Sequence, residues 1–214
     1  MAVADAASFQ AATNATPAQL ADLERFLGLL TDWNGRMNLV GPSTLADFWN
    51  RHAYDSWQLL PRALEARTWA DLGAGAGLPG VVLAVFLKDQ PGAEIHLVDS
   101  LAKRCRFLAE VTAELGLPAR VHNARAESLA LSVDVVTARA CAPMTKLFGY
   151  ALPYLQRGAT GLFLKGEGAE GELDAAAEAW TFDAELSPSQ SDSRGRVVTV
   201  RSLAARAPNR APSR

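Results

Sequence analysis

The glycine-rich segment from Asp71 to Gly80 constrains the fold of this chain more than any other stretch of its 214 residues. The segment places one acid, four glycines and Pro79 between two apolar runs. Residues 67–70 predict the end of a β-strand, and residues 81–87 predict a buried helix that Pro79 can begin. Glycines let the backbone turn sharply against a flat ligand, and we expect free N–H groups at the helix start to face that ligand. The segment therefore predicts a cofactor-binding loop in an α/β fold.

Two classes of cofactor fit this loop. Gly75, Gly77 and Gly80 satisfy the G-x-G-x-x-G pattern of dinucleotide-binding proteins, and Asp99 follows about twenty residues later, so an NAD-dependent oxidoreductase stays open. Asp71, in contrast, stands two residues before the first glycine and completes a D-x-G-x-G-x-G pattern. That pattern resembles the first motif of class I S-adenosylmethionine methyltransferases. An ordinary glycine-rich turn between strand and helix is the remaining alternative.

Polar residues follow four further predicted strands, at the point where each apolar run ends. These strands and the residues after them are 95–98 with Asp99 and Ser100, 120–123 with Ala126 and Glu127, 133–137 with Arg139 and Ala140, and 161–164 with Lys165 and Gly166. In open parallel α/β sheets, ligands bind at the carboxyl ends of the strands, where an acid accepts hydrogen bonds from ribose hydroxyls. We therefore expect these polar residues to meet on one rim.

Several separated motifs between Asn38 and Lys165 occur together in one known family. They are Asn38-Leu39, the run from Arg51 to Ser56, the run from Asp71 to Gly80, Asp99-Ser100 with Lys103-Arg104 and Phe107-Leu108, Ala126-Glu127, Arg139-Ala140 and Lys165-Gly166. On these residues the chain resembles the RsmG (GidB) family, bacterial methyltransferases that act on guanine N7 in 16S ribosomal RNA. The chain departs from the family pattern at Val40, Trp57 and Ala74. At Ala74 a serine hydroxyl is absent, and with it one loop hydrogen bond.

The resemblance implies a class I methyltransferase fold, with a seven-stranded Rossmann-like sheet and an N-terminal helical cap. It implies methyl transfer from S-adenosylmethionine to guanine N7 of 16S rRNA, either free or in a small-subunit particle. The cofactor site that it implies consists of Gly73, Gly75, Leu78, Asp99, Ala126, Glu127 and Arg139. Arg139 and Lys165 would act by positioning, without a general base. For Arg139 it also implies a place on the RNA side of the pocket, and from the basic residues and the His52–Asp55 spacing we expect RNA contacts at Arg51, His52, Arg104, Arg125, Arg139 and Lys165.

Two further functions stay open beside this one. A methyltransferase of another nucleophile, such as a protein side chain or a small molecule, would use the same cofactor loop. A non-catalytic RNA-binding module would bind RNA without turnover.

The predicted organisation is a single methyltransferase domain at residues 16–202, with a helical cap over 16–65 and the Rossmann-like core over 66–202. Residues 1–15 are expected to be disordered, and residues 203–214 to form a flexible basic tail. Thr16, Pro17 and Gln19 predict a helix start through a capping box. His52 and Asp55 lie on one helix face, where they either tie the cap to the sheet or face the RNA or the cofactor.

The net charge of −2 does not exclude an RNA substrate, because the charges are segregated. Residues 166–193 hold eight acids and no Lys or Arg, whereas residues 194–214 hold six arginines and no acid. Local basic surface governs phosphate contact, and the arginine tail with the following residues is expected to form one face: Arg36, Arg51, Lys103, Arg104, Arg125, Arg139, Lys146 and Lys165. The acidic stretch predicts a solvated helix over 170–179. Residues 196–201 predict an edge strand, paired antiparallel with residues 182–186.

The cysteines, the apolar runs and the N-terminus indicate the cellular location of the protein. Cys105 and Cys141 show neither metal nor disulfide spacing. The longest apolar run, residues 81–87, is too short to span a bilayer, and the N-terminus has no basic start. We therefore expect a cytoplasmic protein without a metal, a membrane association or an obligate protein partner.

Overall fold

A seven-stranded sheet forms the centre of the computed structural model, which describes residues 3–129 and 131–206. The strands are β1 (Thr68–Leu72), β2 (Glu94–Asp99), β3 (Ala119–Asn123), β4 (Val135–Arg139), β5 (Thr160–Lys165), β6 (Trp180–Pro188) and β7 (Arg196–Ala205). Their order is β3-β2-β1-β4-β5-β7-β6. The strands β1 to β5 run parallel, and β7 is antiparallel to both β5 and β6. The predicted seven-stranded α/β fold is confirmed.

Helices cover both faces of this sheet. They are α1 (Ala6–Thr13), α2 (Pro17–Asn34), α3 (Pro42–Leu45), α4 (Asp55–Trp57), α5 (Gly80–Leu87), α6 (Ala102–Glu114), α7 (Met144–Leu155) and α8 (Ala169–Ala176), with a π-helical segment at Trp49–Tyr54 and 3-10 turns at Leu60–Arg62 and Ala126–Ser128. Successive side chains of a strand point to opposite faces, so Trp69 joins the core under α2, α5 and α6, whereas Ala70 joins the core under α7 and α8. Among the described residues, none of the helices combines the length and the apolar character needed to cross a lipid bilayer.

The N-terminal residues form part of the folded cap, so the prediction that residues 1–15 are disordered is wrong for residues 6–13. Asp5 accepts a hydrogen bond from the Ser8 amide at 2.8 Å and closes a capping box at the start of α1. Phe9 is fully buried, with its ring centroid 5.3 Å from that of Trp49 and 6.1 Å from that of Phe86. One large aromatic side chain thus docks a short helix onto the rest of the cap.

The helix α2 begins as predicted. Thr16 accepts a hydrogen bond from the Gln19 amide at 3.2 Å, and the Gln19 side chain accepts one from the Thr16 amide at 2.9 Å. Reciprocal bonds of this kind satisfy backbone donors that the first helical turn leaves unpaired. Leu23, Phe26 and Leu30 follow on the buried face of α2.

The C-terminal hairpin corrects a second prediction. The pairing of residues 196–201 with residues 182–186 is confirmed, but β7 lies between β5 and β6, and β6 is the edge strand. Val197, Val198 and Val200 are buried, because β7 has a neighbour on each side and helices below it. The acidic helix α8 is shorter than predicted. The strand β7 extends to Ala205, and residues 207–214 of the predicted tail lie outside the described residues.

We expect Phe9→Ala to lower the free energy of unfolding by about 3–5 kcal/mol, the usual cost of truncating a buried phenylalanine. Chemical denaturation monitored by tryptophan fluorescence measures this change. Leu64→Ala is the matched control, because Leu64 is 74% exposed and its truncation should change stability by no more than about 0.5 kcal/mol. Equal stability of Phe9→Ala and wild type would contradict the docking of α1.

Candidate active site

The polar residues that end the parallel strands lie together at the carboxyl ends of these strands, as predicted. Asp99, Asn123, Arg139 and Lys165 are the last residues of β2, β3, β4 and β5. Two cavities open at this end of the sheet, a larger one of about 900 Å³ and a smaller one of about 260 Å³. Gly73 and Arg104 border both cavities. A single elongated ligand can therefore occupy parts of both.

The glycine-rich loop is held by two acids of the chain itself. The Asp71 carboxylate accepts the Gly80 N–H at 2.8 Å, at the first residue of α5. The Asp99 carboxylate accepts the Gly75 N–H at 3.0 Å. The prediction that the helix start presents free N–H groups to a ligand is therefore wrong at Gly80. A pyrophosphate needs such free amides, so the occupied amides of Gly75 and Gly80 disfavour a dinucleotide.

Three glycines of the loop, Gly73, Gly77 and Gly80, stand where a side chain would not fit. Gly73 has φ of +71°, and a Cβ built there would lie 2.6 Å from the Cys141 sulfur. A Cβ at Gly80 would lie 2.7 Å from Asp71 Oδ2. The backbone at Gly73 therefore packs directly against Cys141, in the segment that follows β4.

Asp71 is buried, and burial raises the pKa of its carboxyl group to about 7. The hydrogen bond from Gly80 and the nearby Arg139 charge lower the pKa and partly oppose this shift. Its second oxygen, Oδ1, has no hydrogen-bond partner within the described part of the chain. The carboxylate thus anchors the start of α5 at the cost of burying an acid.

The smaller cavity is lined by the predicted residues Asp99, Ala126 and Glu127. Asp99 Oδ1 accepts the Leu101 N–H at 2.8 Å, and Arg104 Nη1 lies 3.5 Å from Oδ2. A carboxylate has further lone pairs, so Asp99 retains capacity to accept ligand hydroxyls. The Tyr154 hydroxyl donates to the Ala126 carbonyl at 2.9 Å and so fixes the turn that carries Glu127.

Arg139 connects the sheet to the cap across the larger cavity. Its Nη1 donates to the Arg51 carbonyl at 2.7 Å and lies 3.3 Å from Asp55 Oδ2. Its Nη2 lies 3.0 Å from His52 Nδ1. The His52–Asp55 pair thus contacts the last residue of β4 and ties the cap to the sheet. The spacing of the two residues in the sequence did not decide between this role and one facing the RNA or the cofactor.

His52 supports Arg139 with a neutral ring. A guanidinium only donates hydrogen bonds, so His52 Nδ1 must accept, and the proton stays on Nε2, which lies 3.0 Å from Thr44 Oγ1. Burial, together with the charges of Arg139 and Arg51, lowers the pKa of His52 to about 4. Both ring nitrogens are engaged, so the ring orients Arg139 and is not available for the predicted RNA contact.

Lys165 is held against a neighbouring loop. Its Nζ donates to the Ala142 carbonyl at 2.9 Å and pairs with Glu172 at 2.6 Å, and its side chain is 9% exposed. Glu172 also accepts the Met144 N–H at 2.8 Å. The acidic stretch was predicted to be a solvated helix, but Glu172 faces the larger cavity. Lys165 therefore fixes the loop after β4 while it lines the site.

The other predicted site residues divide between the two cavities. Gly75, Leu78 and Arg51 line the larger one, and Arg125 lines the smaller one, where its Nη1 lies 3.8 Å from Glu127. The sequence analysis missed Gln58 and Ser191, which bond to Asp55 at 2.9 Å and 2.6 Å. Neither residue lies in a motif that marks it: Gln58 is three residues from Asp55 but follows the recognised motif, and Ser191 is 136 positions away from Asp55.

We expect acid to weaken the fold through His52. Its pKa is about 4 in the folded chain, against about 6.5 for a histidine exposed to water, so the unfolded chain binds the proton first as the pH falls. The stabilisation is complete above pH 6.5 and is lost on descending towards pH 4, up to roughly 3 kcal/mol. The difference in unfolding free energy between wild type and His52→Asn, followed from pH 8 to pH 4, measures this contribution.

The unfolding free energy of wild type must be compared with that of His52→Asn, because Asp71 changes the stability of both proteins with pH in the opposite direction to His52. Its raised pKa makes the folded chain hold a proton that the unfolded chain releases, so its contribution weakens the fold as the pH rises from about 4 to about 7. The variant leaves this contribution in place, and it cancels. A wild-type advantage that stays constant between pH 8 and pH 4 would contradict the assignment of a neutral His52.

Comparisons with known proteins agree with this geometry. A relative from Caulobacter vibrioides (strain NA1000 / CB15N), named Ribosomal RNA small subunit methyltransferase G, is 64% identical over 202 residues, which cover 94% of this chain and 94% of the relative. A relative of the same name from Parvibaculum lavamentivorans is 46% identical over 205 residues, which cover 94% of this chain and 91% of the relative.

Solved structures support the fold. The S-adenosylhomocysteine-bound methyltransferase PaMTH1 of Podospora anserina matches with a TM-score of 0.63 and 14% identity, covering 91% of this chain and 92% of that one. The O-methyltransferase TomG of Streptomyces achromogenes, in complex with S-adenosylmethionine, matches with a TM-score of 0.57 and 14% identity, covering 85% and 89%. The sheet is that of the class I methyltransferases.

The family model described as GidB, rRNA small subunit methyltransferase G, matches residues 19–196, from the third residue of α2 to the first residue of β7. This span contains the glycine-rich loop, both cavities and the Arg139 contacts. The chain belongs to the GidB family, rRNA small subunit methyltransferase G.

Proposed function

We propose that this chain transfers a methyl group from S-adenosylmethionine to N7 of a guanine in 16S ribosomal RNA. The observation that carries the proposal is the pair of adjacent cavities at the carboxyl end of the sheet, which share Gly73 and Arg104 in their linings. The smaller cavity has acids suited to a ribose, and the larger one has a cationic residue, Arg139, on its wall. Family membership and the relatives' names support ribosomal RNA of the small subunit as the substrate.

The residues present fit S-adenosylmethionine. Gly73 lines both cavities, and the absence of a side chain there lets its backbone lie directly at their walls. Asp99 and Glu127 would accept the ribose hydroxyls, Ala126 would lie beside the adenosine, and Gly75, Leu78 and Arg139 would lie along the rest of the cofactor. When bound, the cofactor supplies an electrophilic methyl group on a sulfonium. The occupied amides of Gly75 and Gly80 disfavour the alternative of NAD.

Guanine N7 fits the residues on the acceptor side. N7 has an in-plane lone pair and carries no proton, so its methylation needs no general base. The chain then acts by holding the base in line for attack, an effect worth up to about 7–11 kcal/mol. Among the described residues, the N–H of Arg139 Nε and one N–H of Nη2 have no acceptor, so they can donate to guanine O6 or to a phosphate.

Other base atoms fit less well. Methylation of a pyrimidine carbon needs a nucleophilic thiolate, but burial raises the pKa of the Cys105 and Cys141 thiols. Methylation of an exocyclic amine goes with an Asn/Asp-Pro-Pro-aromatic loop, and the sequence contains no Pro-Pro. Both alternatives therefore lack the residues that their chemistry uses.

The RNA would approach over the larger cavity. Arg51 and Arg104 line this cavity with Arg139, and Arg194 extends it from the turn between β6 and β7. The volume of the larger cavity, about 900 Å³, is sufficient for a nucleotide that is part of a folded RNA. We place this reaction in the cytoplasm, on small-subunit rRNA or on an assembling particle.

The direct test is incubation with S-adenosylmethionine and small-subunit rRNA from cells that lack this protein, followed by nucleoside mass spectrometry. We expect 7-methylguanosine in the 16S rRNA, and we expect the Cys105→Ala/Cys141→Ala double variant to keep kcat within about threefold, since no thiolate takes part. A ring-carbon or exocyclic-amine methyl in the product would overturn the N7 assignment. A folded double variant that binds cofactor without turnover would do the same.

A further inference from the structure

We propose that Asp55 is a positioning residue, which couples the turn between β6 and β7 to Arg139 and so sets the guanidinium for methyl transfer. The proposal rests on the proposed function, from which the task of Arg139 is taken. Asp55 belongs to the cap, Arg139 ends a central strand, and the turn at residues 189–195 belongs to the C-terminal hairpin. One carboxylate thus joins three separate parts of the chain.

The two oxygens of Asp55 serve different partners. Oδ2 accepts from Arg139 Nη1 at 3.3 Å, whereas Oδ1 accepts from Ser191 Oγ at 2.6 Å and from Gln58 Nε2 at 2.9 Å. The carboxylate side chain is 17% exposed, and that of Arg139 is 18% exposed. Limited access to water strengthens charge-assisted bonds of this kind.

Gln58 fixes the turn from the other side. Its side chain is fully buried, its Nε2 lies 2.9 Å from Ser189 Oγ, and its Oε1 accepts the Gln190 N–H at 2.8 Å. Asn50 Nδ2 also donates to the Ser191 carbonyl at 3.0 Å. Residues of the cap therefore bond to three successive residues of the turn, which holds the turn at a fixed distance from Arg139.

The turn matters to the site because it forms a wall of the larger cavity. The lining of that cavity includes residues 191–195 as well as Arg139. Arg139 itself is bonded to the cap through Arg51, His52 and Asp55, which leaves N–H groups on Nε and Nη2 for a ligand. Of these three cap residues, Asp55 also bonds to the turn. It therefore couples the position of the turn, which forms one wall of the cavity, to the orientation of Arg139 on the opposite wall.

An amide cannot replace this carboxylate. Arg139 Nη1 and Gln58 Nε2 are both donors, and each faces a different oxygen of Asp55. An asparagine has one acceptor oxygen and one NH₂ donor, so its NH₂ must face a donor on one side. Asp55→Asn therefore keeps the shape of the side chain and breaks the coupling at one oxygen.

The experiment compares kcat for methylation of small-subunit rRNA by wild type, Asp55→Asn, Arg139→Lys and the double variant. We expect Asp55→Asn to lower kcat by about 10- to 100-fold, the effect of misplacing a group by about 1 Å. The dissociation constant of S-adenosylhomocysteine, measured by calorimetry, should rise by no more than about threefold, because the adenosine and the ribose bind in the smaller cavity, which Asp55 does not line, and only the rest of the cofactor passes Arg139. The double variant should be no slower than Arg139→Lys by more than about twofold, because Asp55 acts through Arg139.

Asp183→Asn is the matched control. It makes the same change of charge on β6, where Asp183 is exposed and lies outside both cavities, and it should keep the wild-type rate. Ser191→Ala replaces Asp55→Asn in the same cycle if the latter fails to fold, since it removes the bond to the turn without a change of charge. Its expected loss in kcat is about 3- to 10-fold, and thermal unfolding reports the folding of each variant.

The outcomes separate this proposal from the proposed function. An active wild type with a slow Arg139→Lys variant, but with Asp55→Asn at the wild-type rate, overturns the role of Asp55 alone. Losses that multiply in the double variant also overturn it, because independent effects add in free energy. A wild type that leaves 16S rRNA unmethylated overturns the proposed function, and this proposal with it.

Discussion

The contact between the Arg139 guanidinium and the cap is the interaction on which the site depends. A sheet edge alone is an open surface, and a guanidinium there would be hydrated and mobile. Here the carbonyl of Arg51, the ring of His52 and the carboxylate of Asp55 each accept from Arg139, so the cap is held over the end of β4. These bonds form one wall of the larger cavity at the carboxyl ends of the strands. Within the cap, α1 and α2 contribute Phe9 and Phe26 to the hydrophobic core.

Two buried acids complete the other side of the site. Asp71 and Asp99 accept the amides of Gly80 and Gly75, so the loop keeps its shape without a ligand. Nearby Arg139 partly compensates the charge of Asp71, although burial still raises the pKa of that carboxyl to about 7. A loop already satisfied by carboxylates suits a cofactor with a positive sulfonium and a ribose better than one with a pyrophosphate.

Local sequence signals predicted much of the fold. The strands β1, β2, β4 and β5 are buried along most of their length, so each is a mostly apolar run that the sequence displays directly. The polar residues after these runs marked the rim of the site, and the capping box marked the start of α2. The helix α1 escaped prediction because one residue, Phe9, provides most of its docking. The interior place of β7 depends on pairing with β5, which alternation within the strand does not reveal.

The parts of the site that escaped prediction are long-range contacts. Glu172 meets Lys165 from a helix that is acidic along most of its length, so nothing local distinguishes it from its exposed neighbours. Gln58 bonds to Ser189, and Ser191 bonds to Asp55, and in each pair the two residues lie more than 130 positions apart in the chain. The spacing of His52 and Asp55 placed both on one face, but their shared partner, Arg139, became visible only in the folded chain.

A crystal structure of this chain with S-adenosylhomocysteine tests the central claim most directly, namely that the two adjacent cavities form one cofactor and acceptor site. The account predicts the adenosine in the smaller cavity beside Ala126 and Glu127, its ribose hydroxyls within hydrogen-bond distance of Asp99, and the sulfur near Gly73, facing the cavity that Arg139 lines. Adenosine in the larger cavity, or a ribose without contact to Asp99, would contradict it.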